Sequence, residues 1–463
     1  MKSLKDLLPK ERKPTLINKN NCVKLKNVNY IFDYSKFDKI IIQPFKNIIK
    51  NESIEKFENT CNHMFKKVGY GIFVFILNGE IHTYQVFANT TEIKPGSQIL
   101  TKKKNIKLLK NKKNKKTIKN IKNMGFSNCM INSNVNWWNK LYTLFYYDLL
   151  VNTLKNTNIT TCFFLNLYDY PVLYKHVCNQ HILNEFMCSK NKKENNDYIP
   201  VLSGCSSNNY YDKCIVYADA WELVSKTKFL NRGKFVNRYY NEEYKKLNTN
   251  WGTKKDELIF RGKNNSCFPN DFEKNNRLKV LYLLNKIQES NKITNKININ
   301  VGLNSVNHKL LFNVEKNEIK VDISNEDKII NKLHDLVNVQ GVSMVEQSNS
   351  KYILNIDGYV TAWRLCFELG YNSCIILFLS QYHSWFYDKL KHMKNVYIID
   401  VDSNNLEQDI IKCIKTLERN DNIGKKIANG SLDLFNEVMN FDYIKKYMVN
   451  LLSEKEFDII IDN

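Results

Sequence analysis

Runs of apolar residues alternate with polar breaks along most of the chain, and the period of each run assigns its element. The first clear pair is Tyr70-Gly71-Ile72-Phe73-Val74-Phe75-Ile76-Leu77 and the run from Ile81 to Phe87, separated by Asn78-Gly79, which predicts a β-hairpin. A shorter apolar run at residues 39–43 reads as a strand. Residues 137–154 place apolar side chains at helical spacing and predict a core helix. Residues 160–165 (TTCFFL) then predict a buried strand that ends in Asn166-Leu167-Tyr168-Asp169-Tyr170-Pro171. An acid just past a buried strand and fixed by a proline turn either faces a cleft or caps its own turn. Residues 179–197 and 231–250 are polar, the second in part helical and the natural connection between two domains.

Beyond that connection the pattern becomes regular. Strands are expected at 257–262, 297–301, 352–356, 374–379 and 396–401. Helices are expected through Arg277, over 325–337, from Thr361, around 385–390, over 406–417 and over 423–451. Strands alternating with helices over about two hundred residues argue for an α/β fold with a parallel sheet.

One stretch of this half, KYILNIDGYVTAWRLCFEL (351–369), stands out. A buried strand breaks at Asp357-Gly358, and Trp363, Cys366, Phe367 and Leu369 recur at helical spacing, with Arg364 in the first turns. The corner after a parallel strand is where ligands sit in such sheets, and helix N–H groups with an arginine fork suit a phosphate. The same unit also serves as a plain structural turn, because the full glycine pattern of a dinucleotide or phosphate loop is missing.

Composition bounds the rest. A chain of 463 residues with 43% hydrophobic and 12% aromatic content suits two or three packed domains and excludes a disordered protein. No run approaches the length of a membrane span, and MKSLKDLLPKERK lacks the apolar centre of a signal peptide, so a cytoplasmic location is expected. The twelve cysteines are scattered without C-x-x-C pairs, as reduced core thiols would be. Cys178, Cys188, Cys205 and Cys214, with His176 and His181, form the densest group, but their spacing matches no zinc module.

The formal charge of +22 invites a polyanion or nucleic-acid partner, and residues 102–122 form a lysine-rich tract that could grip one. Lysine and asparagine saturate the whole chain, however, the pattern of an A/T-rich coding sequence, so much of the excess charge is read as compositional drift and nucleic acid is not the first partner expected. Arginine says more. Only seven occur (Arg12, Arg232, Arg238, Arg261, Arg277, Arg364, Arg419), and an arginine kept where lysine is the default cation suggests planar, bidentate contact. Asp400-Val401-Asp402 matches the D-x-D that holds a cation and nucleotide-sugar in some glycosyltransferases, or is simply a strand end.

Four ordered blocks carry a family resemblance. They are F-F-L-N-x-x-D-x-P at 163–171; I-F-R-G at 259–262 with N-x-R-L-K at 275–279; Glu346-Gln347-Ser348 followed by 351–358 and Ala362-Trp363-Arg364; and Trp385-Phe386-Tyr387 with Leu390-Lys391. Together they resemble the capsule-associated glycosyltransferases, which include protein O-glucosyltransferases and fungal capsule xylosyltransferases. The asparagine- and lysine-rich style is most similar to the versions of large DNA viruses, which would put the protein in host cytoplasm or the virion.

The resemblance implies a GT-B-like fold, two Rossmann-like domains facing across a cleft. On it the chain divides into a basic N-terminal region with the hairpin (1–125), an acceptor and catalytic-base domain (126–250), a nucleotide-sugar domain (251–430) and a C-terminal helix and tail (431–463). Asp169 would be the general base, and Arg261, Gly262, Ser266, Arg277, Asp357, Gly358, Ala362 and Arg364 would bind the donor, UDP-glucose or UDP-xylose. The acceptor would be a protein hydroxyl or a glycan, and no metal would be required, leaving Asp400 and Asp402 dispensable. Two departures stand out: Tyr168 replaces the family arginine before the base, and Asn265 replaces a small residue. The first also fits an inactive relative kept as a binding or virion protein.

Overall fold

The computed structural model describes residues 28–31, 34–88, 137–168, 170–173, 197–217, 220–221, 224, 249–266, 272–290, 292–294, 296–305, 313–315, 318–320, 336 and 341–460. The lysine tract, residues 179–196 of the polar stretch, the connection at 231–248, Asp169, Cys178, Cys188, the histidines at 176 and 181 and all but Leu336 of the helix expected at 325–337 lie outside the described residues.

Strands β1 (Val28–Ile31), β2 (Tyr70–Leu77), β3 (Glu80–Ala88), β4 (Thr161–Asn166), β5 (Val201–Ser203), β6 (Ser206–Ser207) and β7 (Lys213–Cys214) belong to the first half. Six of them form one sheet in the order β1-β3-β2-β4-β5-β7. The Asn-Gly hairpin forms as expected, with Tyr70 opposite Ala88 and Leu77 opposite Glu80. Its two turn residues both take positive φ, 48° at Asn78 and 77° at Gly79, which matches the twist of the flanking strands. Because β2 also pairs with β4, Gly71 opposite Asn166, the hairpin is part of the sheet that leads to Asp169 and not of a separate N-terminal unit.

The second half holds β8 (Lys255–Lys263), β9 (Asn298–Ser305), the small hairpin β10 (Asn313–Glu315) and β11 (Glu318–Lys320), then β12 (Ser350–Ile356), β13 (Cys374–Leu379), β14 (Tyr382–His383) and β15 (Tyr397–Asp400). Five of these make a sheet in the order β15-β13-β12-β8-β9, parallel at every pairing. The stretch singled out in the sequence is its central strand. Such a strand is buried on both faces, hence its unbroken apolar run. Ile353 faces one core while Tyr352, Leu354 and Ile356 face another.

Helices α1 (Asn51–Asn62), α2 (Trp137–Leu154), α3 (Asn276–Glu289), α4 (Met344–Gln347), α5 (Leu365–Glu368), α6 (Leu406–Arg419), α7 (Asp421–Val438) and α8 (Phe441–Leu452) cover the sheets. Leu281 and Leu284 of α3 and Ile410 and Ile414 of α6 close the outer face of the second sheet. Phe57 and Cys61 of α1 close the outer face of the first, against Phe73 and Phe164. The third core joins the halves: Phe145 and Leu149 of α2, Leu434 of α7 and Met448 of α8 pack with Phe163, Ile353 and Ile375. The chain end then returns to the first sheet, where Thr161 Oγ1 donates to the Phe457 carbonyl at 2.6 Å and Ile460 bridges Ile49. The α/β, GT-B-like expectation of two sheet-centred halves is met.

Four local expectations need correction. Residues 39–43 are helical (Asp38–Ile42, then Gln43–Lys46), because Phe37, Ile41 and Phe45 bury at spacings of four. The helix expected from Thr361 is only the four residues of α5, since Trp363 turns to the other half of the protein. The helix expected around 385–390 is a single 3₁₀ turn, Tyr387–Lys389. The last helix is two, α7 and α8, parted at Asn440, whose side chain caps α8 by accepting from the Asp442 amide at 2.8 Å.

Gly79 tests this account of the hairpin. A Cβ there would lie 2.4 Å from the Thr157 carbonyl oxygen, at a φ of 77°. Gly79→Ala is expected to lower unfolding free energy by at least about 1 kcal/mol in a denaturant titration.

Candidate active site

The carboxyl edge of the second sheet gathers buried charges of both signs. Asp357, at the exit of β12 and 2% exposed, accepts from the Ala362 amide (2.7 Å) and from Ser380 Oγ (2.6 Å) at the exit of β13. The aspartate therefore ties down the loop that delivers Arg364. Burial raises its pKa to about 6, against the pull of those donors and of Arg277 and Arg364.

Arg364 lies over the Phe260 ring, its guanidinium carbon 4.7 Å from the centroid. Its NH1 donates to the Arg261 carbonyl at 2.6 Å, and its Nε sits 2.9 Å from Glu368 Oε1. Glu368, also 2% exposed, accepts from Asn355 Nδ2 at 2.6 Å. Burial raises the Glu368 pKa, with Arg364 and Asn355 opposing. Arg277 has its guanidinium carbon 5.9 Å from the centroid of the same ring, donating from Nε to the Ile356 carbonyl (3.2 Å) and from NH1 to the Lys263 carbonyl (2.8 Å). Burial, with Arg364 adding to it, lowers its pKa to about 9.

The remaining donor-site residues of the sequence reading fall around this cluster. A Cβ on Gly358 would meet Arg277 Cζ at 3.1 Å, and one on Gly262 would meet Phe260 at 2.8 Å, so Gly358 leaves room for the arginine and Gly262 for the ring beneath it. Ala362 supplies the amide to Asp357. Ser266 is buried two residues past Asn264, whose carbonyl accepts from Asn275 Nδ2 at 3.0 Å. Arg261 departs from expectation. Its fork is turned to β9, donating to the Asn300 carbonyl (2.7 Å) and to Asn300 Oδ1 (2.6 Å), so it meets Arg364 through its carbonyl and not beside it. Asp400 and Asp402 lie exposed at the edge strand β15, Asp400 Oδ1 accepting the Asp402 amide at 2.9 Å.

Several buried polar atoms of this corner have no partner: Arg364 NH2, Thr361 Oγ1 and Tyr387 OH. Unpaired buried donors cost roughly 1–3 kcal/mol each, which a ligand would relieve. Glu368 and Asn355 were not legible as site residues. Each is a lone polar residue in an apolar run, a weak signal by itself.

The first half comes to the same place. Gly204, after β5, has no room for a side chain because a Cβ would lie 2.3 Å from Trp363 Cη2. Tyr217 donates to the Trp363 carbonyl at 2.9 Å and packs edge-on against its ring at 4.5 Å. β6 pairs with β14, Ser206 opposite His383, and Asn209 donates to Gln381 at 3.0 Å. The loop after β4 lies on this half. Tyr168, in place of the family arginine, stacks on Tyr170 (5.1 Å, 10°) and meets Tyr70 edge-on. Of the dense cysteine group, Cys214 is a free thiol.

Two sheet-centred α/β halves meeting at a seam beside buried arginines and acids define a GT-B-like class of protein. The chain belongs to glycosyl transferase family 90, which matches residues 185–456, well over half its length. It is similar to uncharacterized protein 179R of Invertebrate iridescent virus 6 (25% identical over 449 residues, 85% of this chain and 36% of that protein). It is also similar to uncharacterized protein 035R of Invertebrate iridescent virus 3 (23% identical, 79% of this chain and 33% of that protein). The chain thus spans about a third of the length of these relatives. Among solved structures, TarM is 12% identical over 44% of this chain and 36% of TarM, with a TM-score of 0.29. The pneumococcal O-GlcNAc transferase GtfA in complex with UDP and GlcNAc is 15% identical over 43% of this chain and 36% of that one, with a TM-score of 0.27. Likenesses this slight carry no weight; the fold rests on the strand order. Among the described residues no helix is long and apolar enough to cross a membrane.

His63 supports the loop after β4, its Nε2–H donating to the Val172 carbonyl at 2.9 Å, while Nδ1 is buried without a partner. Burial lowers its pKa from 6.5 to about 4. Its stabilising contribution is therefore complete above pH 6.5 and is lost as pH falls towards 4. Asp212 and Asp357, raised from 3.8 to about 6, act in the opposite sense, gaining stability as pH falls through that range. Comparison with His63→Gln isolates the histidine. Between pH 6.5 and 4 the wild type should lose stability relative to the variant, by at most about 1.4 kcal/mol per pH unit in denaturant titrations.

Proposed function

We propose that this protein is an inverting glycosyltransferase that moves glucose or xylose from a UDP-sugar to a hydroxyl on a protein or glycan. The observation that carries the reading is the Phe260-centred pair of arginines beside Asp357 and Glu368, with unpaired buried donors, inside the family 90 match. Arg364 and Arg277 would hold the diphosphate, while Arg261 supports Arg364 through its carbonyl. Asp169 would take the proton from the acceptor hydroxyl as that oxygen attacks the anomeric carbon. The bond from that carbon to the diphosphate oxygen breaks on the opposite face, inverting the configuration. Negative charge then grows on the leaving UDP, and fixed guanidinium forks stabilise it without a divalent cation.

A second reading, an inactive relative that binds a nucleotide-sugar, is favoured by Tyr168, whose ring is packed against Tyr70 and Tyr170 where the family carries an arginine. Mass spectrometry of UDP-glucose and UDP-xylose hydrolysis in EDTA separates the two. Wild type should turn over one donor, with Asp169→Asn and Arg364→Ala each slower by roughly a hundredfold or more. Tight UDP-sugar binding without turnover would favour the inactive reading. Strict Mn²⁺ dependence, with Asp400→Ala dead and Asp169→Asn active, would overturn the mechanism.

A further inference from the structure

A chain of side-chain bonds holds the loop after β4 on both sides of Asp169. Asn166, the last residue of the strand, accepts from the Tyr168 amide at 2.9 Å. Its Nδ2 donates to the Tyr170 carbonyl at 2.6 Å and to Ser203 Oγ at 3.0 Å. Ser203 passes its own proton to Asp212 Oδ1 at 2.5 Å. Asp212 then accepts two successive backbone amides of the same loop, Val172 at 2.9 Å and Leu173 at 2.6 Å. The serine hydroxyl has one proton and uses it on the aspartate, so the direction of the whole relay is fixed.

Asp212 is 4% exposed, Ser203 and Asn166 0% and 1%. Among the described residues Asp212 has no ion-pair partner, and burial raises its pKa against the donors that surround it. A buried carboxylate without a cation is an expensive way to stabilise a fold. Only a carboxylate, though, offers acceptors to two consecutive amides and a hydroxyl at once. The carbonyl of Asp212 also accepts from Ser206 Oγ at 2.7 Å, and Ser206 belongs to the strand pair that bridges the two halves. The residue therefore ties the loop to the seam that faces the arginine corner.

We infer that Asp212 is a positioning residue: through Ser203, Asn166 and two backbone amides it fixes Tyr168, Tyr170, Val172 and Leu173, the residues flanking Asp169, and so supports the proton transfer assigned to that aspartate. This rests on Asp169 being the base. Small displacements of a base are known to matter, a shift near 1 Å being worth about a hundredfold in rate.

The test is Asp212→Asn in the full chain, with Ser203→Ala as a milder variant should the first fold poorly. In Asp212→Asn one amide must face an amide. Hydrolysis of the turned-over UDP-sugar should fall about ten- to a hundredfold in kcat, while UDP affinity by calorimetry stays within about twofold, since UDP would bind the other sheet. Hydrogen exchange at Val172 and Leu173 should quicken about tenfold or more, with Ser203→Ala moving both readouts the same way to a smaller degree. Unchanged exchange, or unchanged kcat in a background where Asp169→Asn is dead, would overturn the proposal. So would a parallel fall in kcat, UDP affinity and melting temperature in both variants, the signature of a merely structural role. Full activity of Asp169→Asn would instead remove the base assignment, and with it the catalytic half of the inference.

Discussion

The sealed carboxylate of Asp357 is the constraint on which the candidate site depends. It stands at the end of the central strand, bonded to the exit of the neighbouring strand through Ser380 and to the loop through Ala362. Fixing those two points leaves the intervening loop one path, and Arg364 emerges at its end over Phe260. The charges beyond it are interdependent. Asp357 and Glu368 are buried acids held by Arg277 and Arg364, and each buried ion loses several kcal/mol of hydration that only its neighbours restore. Removing one member leaves another uncompensated, so the cluster behaves as a single unit.

That unit is also where the two halves touch. Trp363 precedes Arg364 and fills the space above Gly204, while Tyr217 holds its carbonyl. The side chain that ends the helix pattern early is thus the one that joins the sheets. Remote from it, α2 and α8 pack together in the shared core, and the turn at Phe457 is bonded to β4. The position of the arginine corner relative to the loop after β4 is set from both sides of the molecule.

Much of this was legible in the sequence, for identifiable reasons. A strand buried on both faces must be an unbroken apolar run, so the parallel sheet declared itself at 352–356 and 374–379. Asn78-Gly79 declared the hairpin because few other pairs adopt two positive φ values. Trp363 misled because helical spacing does not say which body a side chain meets. Residues 39–43 misled because five residues are too few to distinguish a period of two from one near four. Asp212 reaches the Val172 amide across 40 positions and Asn355 meets Glu368 across 13, and one sequence carries no mark of such pairing. The block around Arg261 marks it as a site residue, yet its direction is decided by Asn300 on the adjacent strand.

The scarcity of arginine takes on a second meaning here. Arg261 joins β8 to β9, Arg277 joins the ends of β8 and β12, and Arg364 joins the loop beyond β12 back to β8. Arg261 and Arg277 each do so by placing two N–H groups on carbonyl or side-chain oxygens in fixed directions, and Arg364 by one, with its Nε turned to Glu368. A lysine ammonium is a compact point charge on a flexible stem and could not hold two strand ends at a set angle. The same planar fork that suits a diphosphate is therefore used first to stitch the sheet edge together. Retention of arginine against a lysine-rich background is explained by that stitching before any ligand is invoked, and the ligand reading rests instead on the buried donors left without partners.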